Sequence, residues 1–173
     1  MIESTQLDPN FKDEIANEPG GEHILSCFTC GTCTASCPVR VVTDRYSPRK
    51  IIRMALLGLK EEVLSSDFIW LCSACYSCHE RCPQDVRITE LINAIKNIAV
   101  REGHVPPAFR VQVDLLRDHG RLIEIGDYDN ERRAELGLPA IHEQPAEVAE
   151  ILKVSGTIAL GAAAPAPAED DAK

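Results

Sequence analysis

The sequence predicts an all-α protein whose functional residues sit in loops between helices. Three observations lead there. No segment sustains the apolar–polar alternation of a strand. Residues that start and stop helices bracket several apolar runs at helical spacing. All eight cysteines fall between those runs, in two copies of one spacing, with none left over.

The elements follow in order. Residues 1–22 read as an N-terminal extension, in which Asp8-Pro9-Asn10 starts a short helix with Phe11 and Ile15 on one side and Gly20-Gly21 ends it. Residues 23–38 form the first cysteine loop. Ser47-Pro48 opens the clearest helix, a favoured N-cap followed by a favoured first residue. Ile51, Ile52, Ala55, Leu56, Leu59 and Val63 then recur at helical spacing. Gly58 is expected to weaken that helix by about 1 kcal/mol relative to alanine. A further start at Ser65 or Ser66 carries Phe68, Ile69 and Trp70 into Cys72, with Trp70 packed beside the second loop.

Thr89 is expected to cap the next helix, whose buried stripe is Leu91, Ile92, Ile95, Ile98 and Ala99, with Gly103 as its stop. Pro106-Pro107 breaks the chain, and another helix would bury Val111, Leu115 and Leu116 before Gly120. Short helices are expected at 131–136 and 146–154. Residues 161–173 are Ala- and Pro-rich, end in acids and read as a disordered tail. The expected organisation is therefore 1–22 as an extension, 23–120 as the two-loop domain, 121–160 as a helical extension for partner packing, and the tail.

The cysteine spacing names the cofactor. The copies are Cys27, Cys30, Cys33, Cys37-Pro38 and Cys72, Cys75, Cys78, Cys82-Pro83. Three cysteines at two-residue intervals wrap one face of a 4Fe–4S cube, and in two-cluster proteins the cysteine before proline serves the other cluster. That assigns Cys27, Cys30, Cys33 and Cys82 to a first cluster, and Cys72, Cys75, Cys78 and Cys37 to a second. Backbone N–H groups near Gly31, Thr32, Ala74 and Ser77 could donate to the sulfurs. Disulfides suit a small secreted chain, but Met1 is followed by an acidic, polar stretch rather than a signal peptide. Structural zinc prefers two well-separated pairs.

Composition narrows the class. Only 5% of the 173 residues are aromatic, so the core is small and aliphatic, and folding is expected to depend on the metal. A net charge of −9 argues against nucleic acid. No apolar run spans a membrane, and a cytoplasmic location is expected. Residues 39–60 run against the overall charge: Arg40, Arg45, Arg49, Lys50, Arg53 and Lys60 face Asp44 alone. A solvated face is the plainer explanation and a docking patch the sharper one. His79, beside Cys78, is expected to bond to backbone, and His23, His104, His119 and His142 to be structural.

The chain resembles the family of C-type subunits of heterodisulfide reductase. The resemblance rests on Cys27-Phe-Thr-Cys-Gly-Thr-Cys-Thr-Ala-Ser-Cys-Pro, Ala55-Leu-Leu-Gly-Leu-Lys-Glu-Glu-Val-Leu-Ser-Ser, Trp70-Leu-Cys-Ser-Ala-Cys-Tyr-Ser-Cys, Asp85-Val-Arg-Ile-Thr and Arg133-Ala-Glu-Leu-Gly-Leu-Pro. It implies an α-helical ferredoxin fold with two 4Fe–4S clusters and no catalytic residues. It further implies a relay between two heterodisulfide reductase partners. The donor is the A-type subunit, an FAD flavoprotein that bifurcates electrons. The acceptor is the B-type subunit, a disulfide-reducing iron–sulfur protein with Cys-Cys-Gly motifs. A hydrogenase or formate dehydrogenase module can accompany them. In methanogens the disulfide joins coenzyme M and coenzyme B. An alternative is the iron–sulfur subunit of a flavin-linked dehydrogenase for glycolate, lactate or glycerol phosphate. A zinc-stabilised scaffold is the remote alternative.

Overall fold

A computed structural model describes residues 7–143 and 145–161. Among the described residues the secondary structure is helical throughout, with no strand, and no helix is long and apolar enough to cross a membrane. The all-α expectation holds. The expected tail lies, apart from its first residue, outside the described residues.

The chain divides into compact units at His104–Val105. In the first unit the helices are α1 (Phe11–Ala16), α2 (Thr32–Ala35), α3 (Pro38–Val42), α4 (Pro48–Leu56), α5 (Lys60–Leu64), α6 (Ser77–Glu80) and α7 (Ile88–Arg101). Short 3-10 turns at Ile24–Ser26 and Phe68–Leu71 lead into Cys27 and Cys72.

The core is aliphatic, as the few aromatics require. Ile51, Ile52 and Ala55 of α4, Val63 and Leu64 of α5, and Leu91, Ile92, Ile95, Ile98 and Ala99 of α7 are all buried. Fully burying each large aliphatic side chain stabilises the fold by about 1.5–3 kcal/mol. Phe11 and Ile15 of α1 are fully buried in the same cluster. Through these two residues α1 joins the core. The reason is the one the sequence offered for the helix itself: two apolar residues four apart need a surface to cover.

Three local expectations change. Ser47 caps α4 as expected, its hydroxyl accepting the Lys50 N–H at 3.3 Å. However, α4 ends at Leu56, because Gly58 turns the chain at φ +81° before α5. The Gly58 carbonyl accepts the Asp8 N–H at 2.7 Å, and a Cβ on Gly58 would stand 2.3 Å from the Asp8 oxygen. Gly58 is a required turn, not a weakened helix interior. Thr89 does not cap α7, which starts at Ile88 after Arg87 at φ +54°.

The second unit holds α8 (Pro107–His119), α9 (Asp127–Glu135), α10 (Pro145–Val154) and α11 (Ile158–Gly161), with α10 and α11 packed on α8. Pro107 begins α8 as its first residue rather than breaking the chain, and Gly120 at φ +69° closes it. Leu115 and Leu116 are half-buried, but Val111 is exposed. The Asn130 side chain clasps the Ile141 backbone, accepting its N–H at 2.8 Å and donating to its carbonyl at 3.1 Å.

Candidate metal centre

Each cysteine motif builds the same loop from different residues. The second residue after the leading cysteine is left-handed in both, Thr29 at φ +58° and Ala74 at +50°, and so is the fourth, Gly31 at +94° and Tyr76 at +61°. Alternating hands turn successive N–H groups to one concave side, which suits an anion. Gly31 takes that conformation freely, whereas Tyr76 carries a strain of about 1 kcal/mol. Each loop then enters a one-turn helix, α2 or α6, which buries its third cysteine, Cys33 or Cys78. These two helices pack together, which brings the motifs side by side.

Two cavities result, of nearly equal size. One, about 290 Å³, is lined by Cys27, Cys30, Cys33 and Cys82, with Arg49, Thr32 and Ile88 among the other walls. The second, about 270 Å³, is lined by Cys37, Cys72, Cys75 and Cys78, with Tyr46, Tyr76 and Thr89. Each cavity therefore gathers three cysteines of one motif and the last cysteine of the other. The Val86 N–H donates to the Cys82 sulfur at 3.4 Å and helps to turn it back.

The surroundings treat the sulfurs unequally. Burial raises the Cys27 and Cys78 thiols, and pushes Cys33 up to about 11. Cys30 is held below the ordinary thiol range by the Thr32 hydroxyl, 3.4 Å away, and the Thr32 N–H. Cys75 is lowered by the Ser77 N–H and the Ser77 hydroxyl at 3.6 Å. Of the N–H donors expected from sequence, those of Gly31, Thr32 and Ser77 reach these sulfurs.

The sequence reading missed several neighbours of the sulfurs. Tyr46 is almost fully buried and its hydroxyl donates to the Cys72 sulfur; burial first, then that bond, pushes the phenol pKa up. Thr89 is buried with its hydroxyl 3.7 Å from the Cys78 sulfur. Thr34 lies against Cys33 and also accepts the Arg49 N–H at 3.1 Å. The Lys96 ammonium sits 5.7 Å from the centre of the Trp70 ring, lowered by burial and raised by Cys72. Trp70 thus packs where expected. The only available signal for Lys96 was a lone cation beside the apolar stripe of α7. His79 departs from its expected backbone bond: its buried Nδ1 has no hydrogen-bond partner among the described residues, and its ring lies 5.9 Å from that of Tyr76. His119 pairs with Glu143 at 3.0 Å.

The donor set fits 4Fe–4S clusters and not a single ion. Four thiolates around one zinc would hold their sulfurs roughly 4 Å apart. Among the described residues no three His, Cys, Asp or Glu side chains converge on one metal position. A cube, with a different iron at each corner, needs its four thiolates spread around a cavity.

Comparison with known proteins agrees. Residues 23–86 match the family of 4Fe-4S dicluster domains, and the chain carries two 4Fe–4S clusters. It is 36% identical over 158 residues to the C-type subunit of the H(2):CoB-CoM heterodisulfide,ferredoxin reductase of Methanothermobacter thermautotrophicus, covering 89% of this chain and 84% of that one. It is 41% identical over 148 residues to the iron-sulfur C 2 subunit of the CoB--CoM heterodisulfide reductase of Methanocaldococcus jannaschii, covering 81% and 78%. With the C-type subunit of the ferredoxin:CoB-CoM heterodisulfide reductase of Methanosarcina mazei it shares 38% over 133 residues, covering 77% and 81%. The chain belongs to the family of C-type heterodisulfide reductase subunits, which are electron-transferring iron–sulfur proteins.

Proposed function

We propose that this protein is the cytoplasmic relay subunit of a heterodisulfide-reductase-type complex, receiving electrons from the flavoprotein (A-type) subunit and delivering them to the disulfide-reducing (B-type) subunit. The observation that carries the reading is the pair of four-cysteine cavities in one compact unit. Cys27, Cys30, Cys33 and Cys82 are the ligands of the first cluster, and Cys72, Cys75, Cys78 and Cys37 those of the second. When bound there, the clusters supply one-electron exchange without proton or group transfer. Catalysis on the disulfide belongs to the partner chain.

The surrounding groups differ between the two sets. Thr32 and Ser77 act alike on Cys30 and Cys75, and Thr34 and Thr89 act alike on Cys33 and Cys78. What differs is Tyr46 and half-buried Lys96 at the second set, against the Thr29 and Val86 N–H groups and exposed Arg49 at the first. A partly buried cation is screened less than an exposed one, and hydrogen bonds to ligand sulfurs raise the potential. Tyr46 and Lys96 therefore distinguish the surroundings of the second set from those of the first.

Anaerobic purification from the native host, with co-purifying chains identified by mass spectrometry, tests the assignment. A flavoprotein and a Cys-Cys-Gly iron–sulfur subunit are expected. Recovery with only a substrate-specific flavin dehydrogenase would contradict it.

A further inference from the structure

The two cysteine cavities differ in the charge of their walls. Cysteines apart, Arg49 is the one ionisable side chain in the wall of the first, among the described residues. The wall of the second holds none that is cationic. Lys96 lies against Trp70, which is not part of that wall.

Arg49 occupies a place that Gly31 leaves free. Gly31 and Tyr76 hold the same position in the two loops, and both are left-handed. A Cβ on Gly31 would stand 3.5 Å from the Arg49 Cδ and 4.0 Å from its Nη1. The arginine stem therefore lies over the point from which a side chain would leave the first loop. A bare Cβ there would only touch it; a side chain as large as that of Tyr76 would compete for the same space. In the second loop Tyr76 itself lines the cavity. The backbone holds Arg49 from the other side. Its N–H donates to the Thr34 hydroxyl at 3.1 Å, and Thr34 lies against Cys33.

A solvated surface residue does not account for this arrangement. Arg40, Arg45 and Lys60 have acids as partners, whereas the Arg49 side chain forms no ion pair among the described residues. It stands in the first turn of α4, which holds no acid, where a cation opposes the helix dipole. What it faces instead is the sulfur set, and its charge lowers the Cys27 thiol.

We infer that Arg49, admitted to the wall by the missing side chain of Gly31, raises the reduction potential of the first cluster, under the ligand assignment proposed above, on which this rests. Reduction adds one electron, and so one negative charge, to the set. The electron comes from the redox partner, and no bond is made or broken. A fixed positive charge beside the set stabilises the added charge, and local charge is one of the determinants of a cluster's potential.

The test uses the full chain with its clusters in place, purified anaerobically. Potentiometric titration followed by electron paramagnetic resonance reads both potentials, the first cluster being the signal that survives Cys37→Ser. Arg49→Gln is expected to weaken the reduction equilibrium of the first cluster about threefold, the scale of an exposed ion pair, or about 28 mV at 59 mV per tenfold for one electron. The second potential and the iron per chain should stay, and the shift should shrink as salt is added. Arg49→Lys, which keeps the charge, should stay near wild type. Arg53→Gln removes the same charge from a neighbour outside the wall and should shift the first potential less. An unmoved first potential in Arg49→Gln, an equal shift in Arg53→Gln, or a full shift in Arg49→Lys overturns the inference. Should Arg49→Gln hold less iron, Gly31→Asn decides: Asn tolerates the left-handed conformation and crowds the arginine, and an unmoved first potential there overturns the inference too. A wild type with fewer than two resolved signals contradicts the two-cluster reading itself, and the role of Arg49 with it.

Discussion

The Tyr46 hydroxyl donates to the sulfur of Cys72 from a nearly fully buried position. It reaches the second motif from the segment just before α4, a helix that follows the first motif. A buried neutral donor of this kind stabilises a more negative sulfur. Tyr46→Phe keeps the ring and removes the donor. One hydrogen bond contributes about 1 kcal/mol, so one of the two potentials should fall by about 40 mV while the other stays. Anaerobic potentiometric titration followed by electron paramagnetic resonance reads both. Two unchanged potentials would contradict the role given to Tyr46.

Gly58 is a packing requirement as well as a turn. With φ at +81° and a Cβ that would meet the Asp8 oxygen at 2.3 Å, Gly58→Ala must displace the segment leading into α1. The expected loss is about 2–4 kcal/mol, seen as an earlier denaturation midpoint of the anaerobic holoprotein. A change below about 1 kcal/mol would mean that the Asp8 segment does not depend on this contact.

These residues also mark how far the sequence could be read. The two clusters were legible because cluster ligation restricts spacing along the chain, and Ser47-Pro48 because a cap is a local device. The role of Gly58 is hidden in the sequence because its partner, Asp8, is remote along the chain. Thr89 has the chemistry of a cap, but its hydroxyl lies against Cys78. Tyr46 carried no signal at all, since only the fold brings it to Cys72. Val111 had helical spacing but finds no covering surface. Short-range chemistry was visible; pairings set by chain folding were not.

Lys60 joins α1, α5 and the end of α7 through Glu14 and Glu102. Its hydrogen bonds to Glu102 and then Glu14 push its pKa up to about 12. Because the folded value is raised, the contribution is fully present below the unfolded value near 10.5 and is lost only as pH rises through about 12. Lys60→Met should cost about 0.5–1 kcal/mol, and by the same amount at pH 7 and pH 9 in denaturant titrations. A cost that disappears by pH 9 would contradict the pairing.

Tyr76 adopts the left-handed conformation that Gly31 holds in the other loop. Tyr76→Gly should relieve its strain and stabilise the holoprotein by about 0.5–1 kcal/mol, less the lost contact with His79. Denaturation midpoints and iron content of the variant check this, and a clear destabilisation would mean that the side chain's contacts outweigh the strain.

The most direct test of the account is the resolved cluster spectrum of Cys37→Ser beside that of Cys82→Ser. The signal whose potential shifts in Tyr46→Phe belongs to the second cavity. Cys37→Ser should abolish or convert that signal and leave the other standing, although Cys37 lies in the first motif; Cys82→Ser should do the reverse. If Cys37→Ser instead removes the signal that Tyr46→Phe leaves unmoved, the clusters are not held by crossed ligands and the two-cavity account is wrong.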